Sequence, residues 1–351
     1  MLRPISFLSM LLAGMPACVE LPAEPPTGAT EQAIIDCTEW QCGSNSPQIA
    51  TYPFHELNTR GLENAQGFSV IGLRKGSLSY TLSVEGGKII GRGGAVTLQG
   101  LDLKDAQIWV RHLTNTYAIR ITDVQTTPMF ATLAGQPKQL ETYLLDVNEL
   151  VNGVPTTPGW RNLCHNPPSR DNPDVLGMNT YHSVVFEGER INATAKTIGT
   201  VLESSWFNIG CAGHALAKMA LSGHTEAARL VQGFATTIPE RQAFLKMVSG
   251  DYCGTGKPFT VAGQPLQWMD AHGYTKYMLP AGSLALEARW TPTGAACLNT
   301  PRVNANPTPL GTTVFNGAVV GAIAAECPLP PSCAGGVASF NGAYLLSANP
   351  L

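Results

Sequence analysis

Cys211 is the residue best suited to covalent chemistry in this chain. Cys211, Ala212, Ala215, Leu216, Met219 and Ala220 fall on one stripe of a 3.6-residue period, which predicts a helix of about three turns starting at the cysteine. A helix N-terminus lowers a thiol pKa and so favours the nucleophilic thiolate. Asp270 and His272, in Met269-Asp270-Ala271-His272-Gly273-Tyr274, would then supply an orienting carboxylate and a base, the set that a cysteine-dependent hydrolase or transferase needs. Against this stands the cysteine count, which is even once Cys18 is set aside. It favours Cys211 as half of a disulfide.

Other constellations carry less. Gly254-Thr255-Gly256-Lys257 has part of a phosphate loop, but Asp251 stands where that motif needs glycine and Pro258 where it needs Ser or Thr. No strand precedes it, so phosphate binding is rejected. Cys211-x-x-His214 and Cys164-His165 lack the second ligand pair that a zinc site takes, so no metal is assigned. Asp251 reads as a helix-end or turn residue and Tyr252 as a core aromatic. Asn192-Ala193-Thr194 is a glycosylation sequon, without meaning in a bacterial cell. No cofactor is implied. A formal charge of −3 with no basic run argues against nucleic-acid binding.

The elements that would position these residues fall into two kinds. From Ile49 to Val147 apolar residues alternate with polar ones, as in Leu78, Tyr80, Leu82 and Val84, with Glu85-Gly86-Gly87-Lys88 as a hairpin turn. Turn signals recur about every eight to twelve residues, which predicts an antiparallel sandwich or partly open barrel. No helix longer than two turns is expected there. Residues 151–175 read as a long loop stapled through Cys164, and Val184-Val185-Phe186 with Ile191 to Thr197 as a hairpin around Glu187-Gly188-Glu189. Helices follow. Gly223 stops the first, Thr225 caps a second carrying Leu230, Val231 and Phe234, and Thr237-Ile238-Pro239-Glu240 is a capping box for a third that ends at Gly250. A hairpin is expected from Phe259-Thr260-Val261 and Leu266 to Met269.

One stretch resembles a known family. Gly250-Asp251-Tyr252-Cys253 after a helix, Trp206-Phe207 through Cys211 to Ala215-Leu216-Ala217-Lys218 upstream, and Glu287-Ala288-Arg289-Trp290-Thr291-Pro292 with Cys297 downstream look like the ADYC domain, a bacterial domain without an assigned activity. The resemblance covers about residues 205–300. It extends more loosely to Cys42-Gly43-Ser44-Asn45-Ser46-Pro47 and His55-Glu56-Leu57-Asn58. The family often has cysteine right after Ala-Leu-Ala-Lys and in the helix before the signature, where this chain has Met219 and Phe244. The resemblance therefore implies an apolar contact between those two in place of a disulfide. It implies no catalytic residue.

Composition sets the compartment. The chain has 351 residues, 13% of them charged and 44% hydrophobic, with 36 Gly, 26 Pro and nine Cys. That describes a loop-rich, weakly charged but folded protein. Arg3 followed by Ile5 to Leu12 reads as an export signal, and Ala17-Cys18 as a lipoprotein cleavage site, preferred over simple secretion and over a cytosolic chain. Eight cysteines then remain: Cys37, Cys42, Cys164, Cys211, Cys253, Cys297, Cys327 and Cys333. They allow 105 connectivities. Short loops favour Cys37–Cys42 and Cys327–Cys333; the central four would then pair among themselves, with Cys164–Cys211 and Cys253–Cys297 favoured. The apolar run Gly317 to Ala325 is too short to span a bilayer.

The expected class is α+β: an N-terminal antiparallel β sandwich or partly open barrel, then a smaller helix-plus-hairpin domain held by disulfides. The expected boundaries are 1–18 for a lipoprotein-type signal peptide, 19–36 for a flexible linker, 37–160 for a β-rich domain, 161–300 for the ADYC-like domain and 301–351 for a loop-rich, disulfide-tied tail. The expected function is a non-enzymatic structural or binding protein, secreted or held at the bacterial outer membrane. Its partner would be an unknown envelope or extracellular one, and only a lipid on Cys18 would touch the membrane. The alternative is the hydrolase or transferase built on Cys211.

Overall fold

The computed structural model describes residues 46–130, 138–157, 159–164, 174–175, 178–179, 181–228, 236–260, 266–276, 279–302 and 318–350. Two antiparallel sheets dominate, and helices are few. The larger sheet is built from β1 (Glu56–Asn58), β2 (Phe68–Lys75), β3 (Leu78–Glu85), β4 (Lys88–Gly93), β5 (Val96–Leu98), β6 (Gln107–His112), β7 (Asn115–Pro128) and β8 (Gln139–Val151), with β9 (His182–Gly188) further along. A two-stranded ribbon, β10 (Ile191–Asn192) and β11 (Thr197–Ile198), precedes β12 (Glu203–Cys211). The strand order is β1-β12-β9-β8-β7-β6-β2-β3-β4-β5, and two short strands add to β8 to make twelve.

The path is open, so the sheet curls without closing into a barrel. The β3–β4 hairpin folds back over it. The Glu187 carboxylate accepts from Gly86 N at 2.7 Å and Gly87 N at 3.2 Å, and the Tyr143 hydroxyl accepts from Ile89 N at 2.9 Å. Leu82, Val84 and Ile89 thereby share one core with Tyr143, Val185, Phe207 and Ile209. Between residues 49 and 147 a 3-10 turn, Gly100–Leu103, is the sole helical element among the described residues, as the alternation predicts.

The expected hairpin at Glu187-Gly188-Glu189 does not form. β9 pairs with β8 on one edge and β12 on the other, while β10 and β11 pair only with each other. Every residue of β9 is buried. That demands hydrogen-bond partners on both edges and cover on both faces, and an isolated hairpin offers neither. Val185 enters the core just described, while Val184 and Phe186 enter a second.

The second core lies under the helices. The helix expected at Cys211 starts only at Ala215, because Cys211 is the last residue of β12 and pairs with Ser183. Gly213, at φ 81°, makes the turn between them, a conformation open to glycine. Helix α1 (Ala215–Leu221) packs on α2 (Ile238–Ser249), whose capping box is complete and whose end is Gly250 in the left-handed region at φ 64°. Met219 and Phe244 are both buried in this core. Residues 226–228 are helical, and the rest of the expected second helix lies outside the described residues.

The smaller sheet corrects one expectation. β13 (Gln267–Asp270) pairs with β16 (Leu345–Pro350) and not with Phe259 or Thr260, while Val261 lies outside the described residues; the order is β13-β16-β14-β15, with β14 at Leu284–Thr291 and β15 at Gly294–Leu298. The tail contributes regular structure here. It supplies a central strand and helix α3 (Ala318–Glu326), which covers most of the apolar run. No helix among the described residues is long and apolar enough to cross a membrane.

Candidate functional site

The arrangement proposed around Cys211 is not assembled. Cys211 is fully buried and bonded to Cys164, one of the pairings read from the sequence, with Cα atoms 5.6 Å apart. Asp270 caps its own turn, accepting from His272 N at 2.9 Å, Tyr274 N at 3.0 Å and Thr275 Oγ1 at 2.7 Å. The His272 imidazole contacts Glu240, near the start of α2. A thiolate, a base and an orienter therefore do not converge.

Two further disulfides differ from expectation: Cys253–Cys327 and Cys297–Cys333 replace Cys253–Cys297 and Cys327–Cys333. Helix α3 buries Val319 and Ile323 in the second core, which brings Cys327 at its end to Cys253. Leu298 N donates to Pro331 O at 2.9 Å and Cys333 N to Asn299 Oδ1 at 2.9 Å, so residues 331–333 lie beside the end of β15 and Cys333 reaches Cys297. Cys18, Cys37 and Cys42 lie outside the described residues.

Gly250-Asp251-Tyr252-Cys253 holds a dense buried network. Asp251 Oδ2 accepts from Lys246 Nζ at 2.6 Å and Gly256 N at 2.8 Å. The amide that a phosphate loop would turn to its ligand is taken by the chain's own carboxylate. Lys246 also donates to Ala195 O at 2.9 Å and Gly254 O at 3.0 Å. Tyr252 stacks on Trp290 at 5.2 Å and its hydroxyl donates to Glu287. Arg302 pairs with the same carboxylate at 2.9 Å and donates to Met247 O at 2.8 Å. Burying such charges is tolerable only because each is paired and hydrogen-bonded. At Gly256, φ is +94° and a Cβ would lie 2.2 Å from Thr194 O. Only glycine lets the loop close on the β10–β11 ribbon.

That ribbon is one wall of a cleft of about 410 Å³. Gln242 fixes it from α2, accepting from Ile198 N and donating to Lys196 O, both at 2.7 Å. The opposite wall carries His55, Glu56, Ala65 and Gln66. Arg190 crosses between them, paired with Glu56 at 3.2 Å and lying 3.6 Å over the Trp206 ring. His55 donates from Nε2 to Ile191 O at 2.9 Å, and burial holds its pKa below the ordinary value, so it is neutral. Gln66 Oε1 is buried without a hydrogen-bond partner.

Sequence reasoning missed the charged residues of α2. Arg241 and Lys246 are buried beside the expected apolar positions Phe244, Met247 and Val248. Arg241 reaches Glu189 at 3.1 Å and Glu226 at 2.7 Å. An apolar stripe assigns charges to solvent, so only knowledge of their partners could place them inside. Glu189 is fully buried, and desolvation raises its pKa to about 7.

His224 gives a pH test. It stacks on Phe244 at 4.3 Å, donates from Nδ1 to Ser222 O, and burial lowers its pKa to about 4. Unfolded, it would titrate near 6.5. Below that pH the unfolded chain takes up a proton the folded one refuses, so stability is lost as pH falls from 6.5 towards 4, by roughly 3 kcal/mol at most. Glu189 acts in the opposite sense, gaining stability as pH falls below about 7. His224→Phe removes only the first effect. Going from pH 7 to pH 4.5, the urea midpoint should therefore move more favourably in the variant than in the wild type, as a smaller fall or a larger rise; an identical signed change in both would rule the histidine out.

A family model described as the ADYC domain matches residues 100–304, more than half of the chain. No curated protein and no solved structure matches it.

Proposed function

The chain belongs to the ADYC domain family, and on that premise we propose that it is a non-enzymatic structural or binding protein, exported and either secreted or held at the cell envelope through a lipid on Cys18. The observation that carries this reading is the state of Cys211: the one residue placed by sequence for nucleophilic attack is buried in a disulfide. The signature residues support it, since Asp251, Tyr252 and Cys253 are spent on internal partners. Three disulfides suit an oxidising compartment, where such bonds persist. The partner is an envelope or extracellular one.

Alkylation of the unreduced native protein with iodoacetamide, followed by peptide mapping, tests the reading. No label is expected at Cys164, Cys211, Cys253, Cys297, Cys327 or Cys333. Rapid labelling of Cys211 would turn the argument to the cysteine-dependent hydrolase or transferase.

A further inference from the structure

Neighbouring hairpin turns at one end of the large sheet carry residues that folding does not explain. The β6–β7 turn holds Leu113, 75% exposed and at φ 54°, a left-handed conformation that asparagine or glycine takes at lower cost. Neither burial nor backbone geometry accounts for a leucine there. β8 ends beside it, since Leu150 pairs with Thr116, and turns through Asn152-Gly153, the residues such a turn favours. Val151 and Val154, paired across that turn, are both exposed. Bare aliphatic side chains thus stand at both tips. Behind them, on the face of the sheet turned away from the core, lie arginines without acidic partners. Arg111, opposite Ser69 and Thr116, makes no ion pair among the described residues, and neither does Arg74. The Arg74 guanidinium lies 3.8 Å over the Trp109 ring, whose far edge is 3.5 Å from where a Gly153 Cβ would stand. Stacking leaves the N–H edge of the guanidinium free for an anion. Glu149 of β8 pairs with Tyr117 and so takes the opposite, core-side face.

We infer that this end of the sheet docks on an anionic lipid surface, which deepens the envelope-binding reading above and rests on it. Single aliphatic residues on separate projecting turns suit a fluid surface that they can enter. A protein partner wants a contiguous, shape-matched patch instead. Tryptophan favours the interfacial layer, and arginine forks take phosphate oxygens in pairs. The opposite end of the sheet supplies the contrast. Leu101 is also exposed there, yet Asp102 and Asp105 offset Lys75 and Lys104 around it, so no net positive charge draws it to such a surface.

Co-sedimentation of the full chain with vesicles tests the site, using Cys18→Ser as the background so that no lipid can attach. The chain should bind vesicles of mixed phosphatidylglycerol and phosphatidylcholine, and bind phosphatidylcholine alone about tenfold more weakly. Leu113→Asn should weaken binding to the anionic vesicles by about tenfold while leaving the urea midpoint unchanged or higher, because asparagine suits φ 54°. A merely structural leucine would not separate the two readouts in that way. Arg111→Gln should weaken binding by about fivefold, and Leu101→Asn should leave it unchanged. Absence of binding to the anionic vesicles, or binding that Leu113→Asn and Arg111→Gln both leave intact, would overturn the proposal. Neither result alters the alkylation pattern, so the loss of this surface and the loss of the non-enzymatic reading are separate results.

Discussion

Asp251→Asn should lower the unfolding free energy by roughly 3–5 kcal/mol, the cost of leaving one member of a buried ion pair without its partner. Lys246 is 1% exposed and Asp251 0%, at 2.6 Å, so water cannot take over when the carboxylate is removed. The asparagine oxygen can still accept from Gly256 N, which leaves the charge as the main thing lost. Against a total stability of about 5–15 kcal/mol, the urea midpoint should fall by a large fraction. The pair itself need not be strongly stabilising. Asp251 Oδ1 is buried without a hydrogen bond, and desolvation of both ions offsets much of their attraction. Lys246→Met combined with Asp251→Asn should therefore recover part of the loss, so the double mutant is less damaged than the sum of the singles. An Asp251→Asn protein within 1 kcal/mol of wild type, a bound well below the roughly 3–5 kcal/mol expected, would show that the network is ornamental.

How far the sequence could reveal this depends on how local each cause is. The alternation in β3 and the capping box at Thr237 act over a few residues and read directly from the chain. Tyr252 as a core aromatic was legible from its type, and it is 2% exposed. Trp206 to Cys211 is a mainly apolar run, interrupted by Asn208, that suits a buried strand as well as a helix, and its strand identity is set by partners in β9 and β1. The pairing of Cys297 with Cys333 depends on where residues 331–333 run, which loop length alone does not fix. The cleft was least legible. Glu56 and Gln66 come from a segment more than a hundred residues before Arg190, and no short spacing announces the three. The sequence singled out His55-Glu56 and Gly250-Asp251-Tyr252-Cys253, but not that both serve one surface.

Removing residues 345–351 should have the largest effect of any change considered, abolishing the folded state of the smaller sheet. β16 runs between β13 and β14, so its loss leaves both with bare edges. Leu345, Leu346 and Ala348 are each 0% exposed. Deleting buried leucines costs about 2–5 kcal/mol apiece even when only part of the side chain goes. Trp290 would lose the Ser347 hydroxyl that accepts from its indole N–H at 2.7 Å, leaving a buried donor unpaired beside Tyr252. These losses together approach the whole stability of an ordinary domain. The disulfides Cys253–Cys327 and Cys297–Cys333 would still limit the unfolded chain, but they cannot replace strand pairing. Limited proteolysis should cut the truncated protein between residues 267 and 298, where the intact protein resists. A gentler version, Ser347→Pro, removes a ladder N–H from a central strand and should cost about 3 kcal/mol or more. A truncated chain that keeps wild-type protease resistance and near-ultraviolet dichroism would show that β16 is dispensable, and with it the claim that the C-terminal residues complete this sheet.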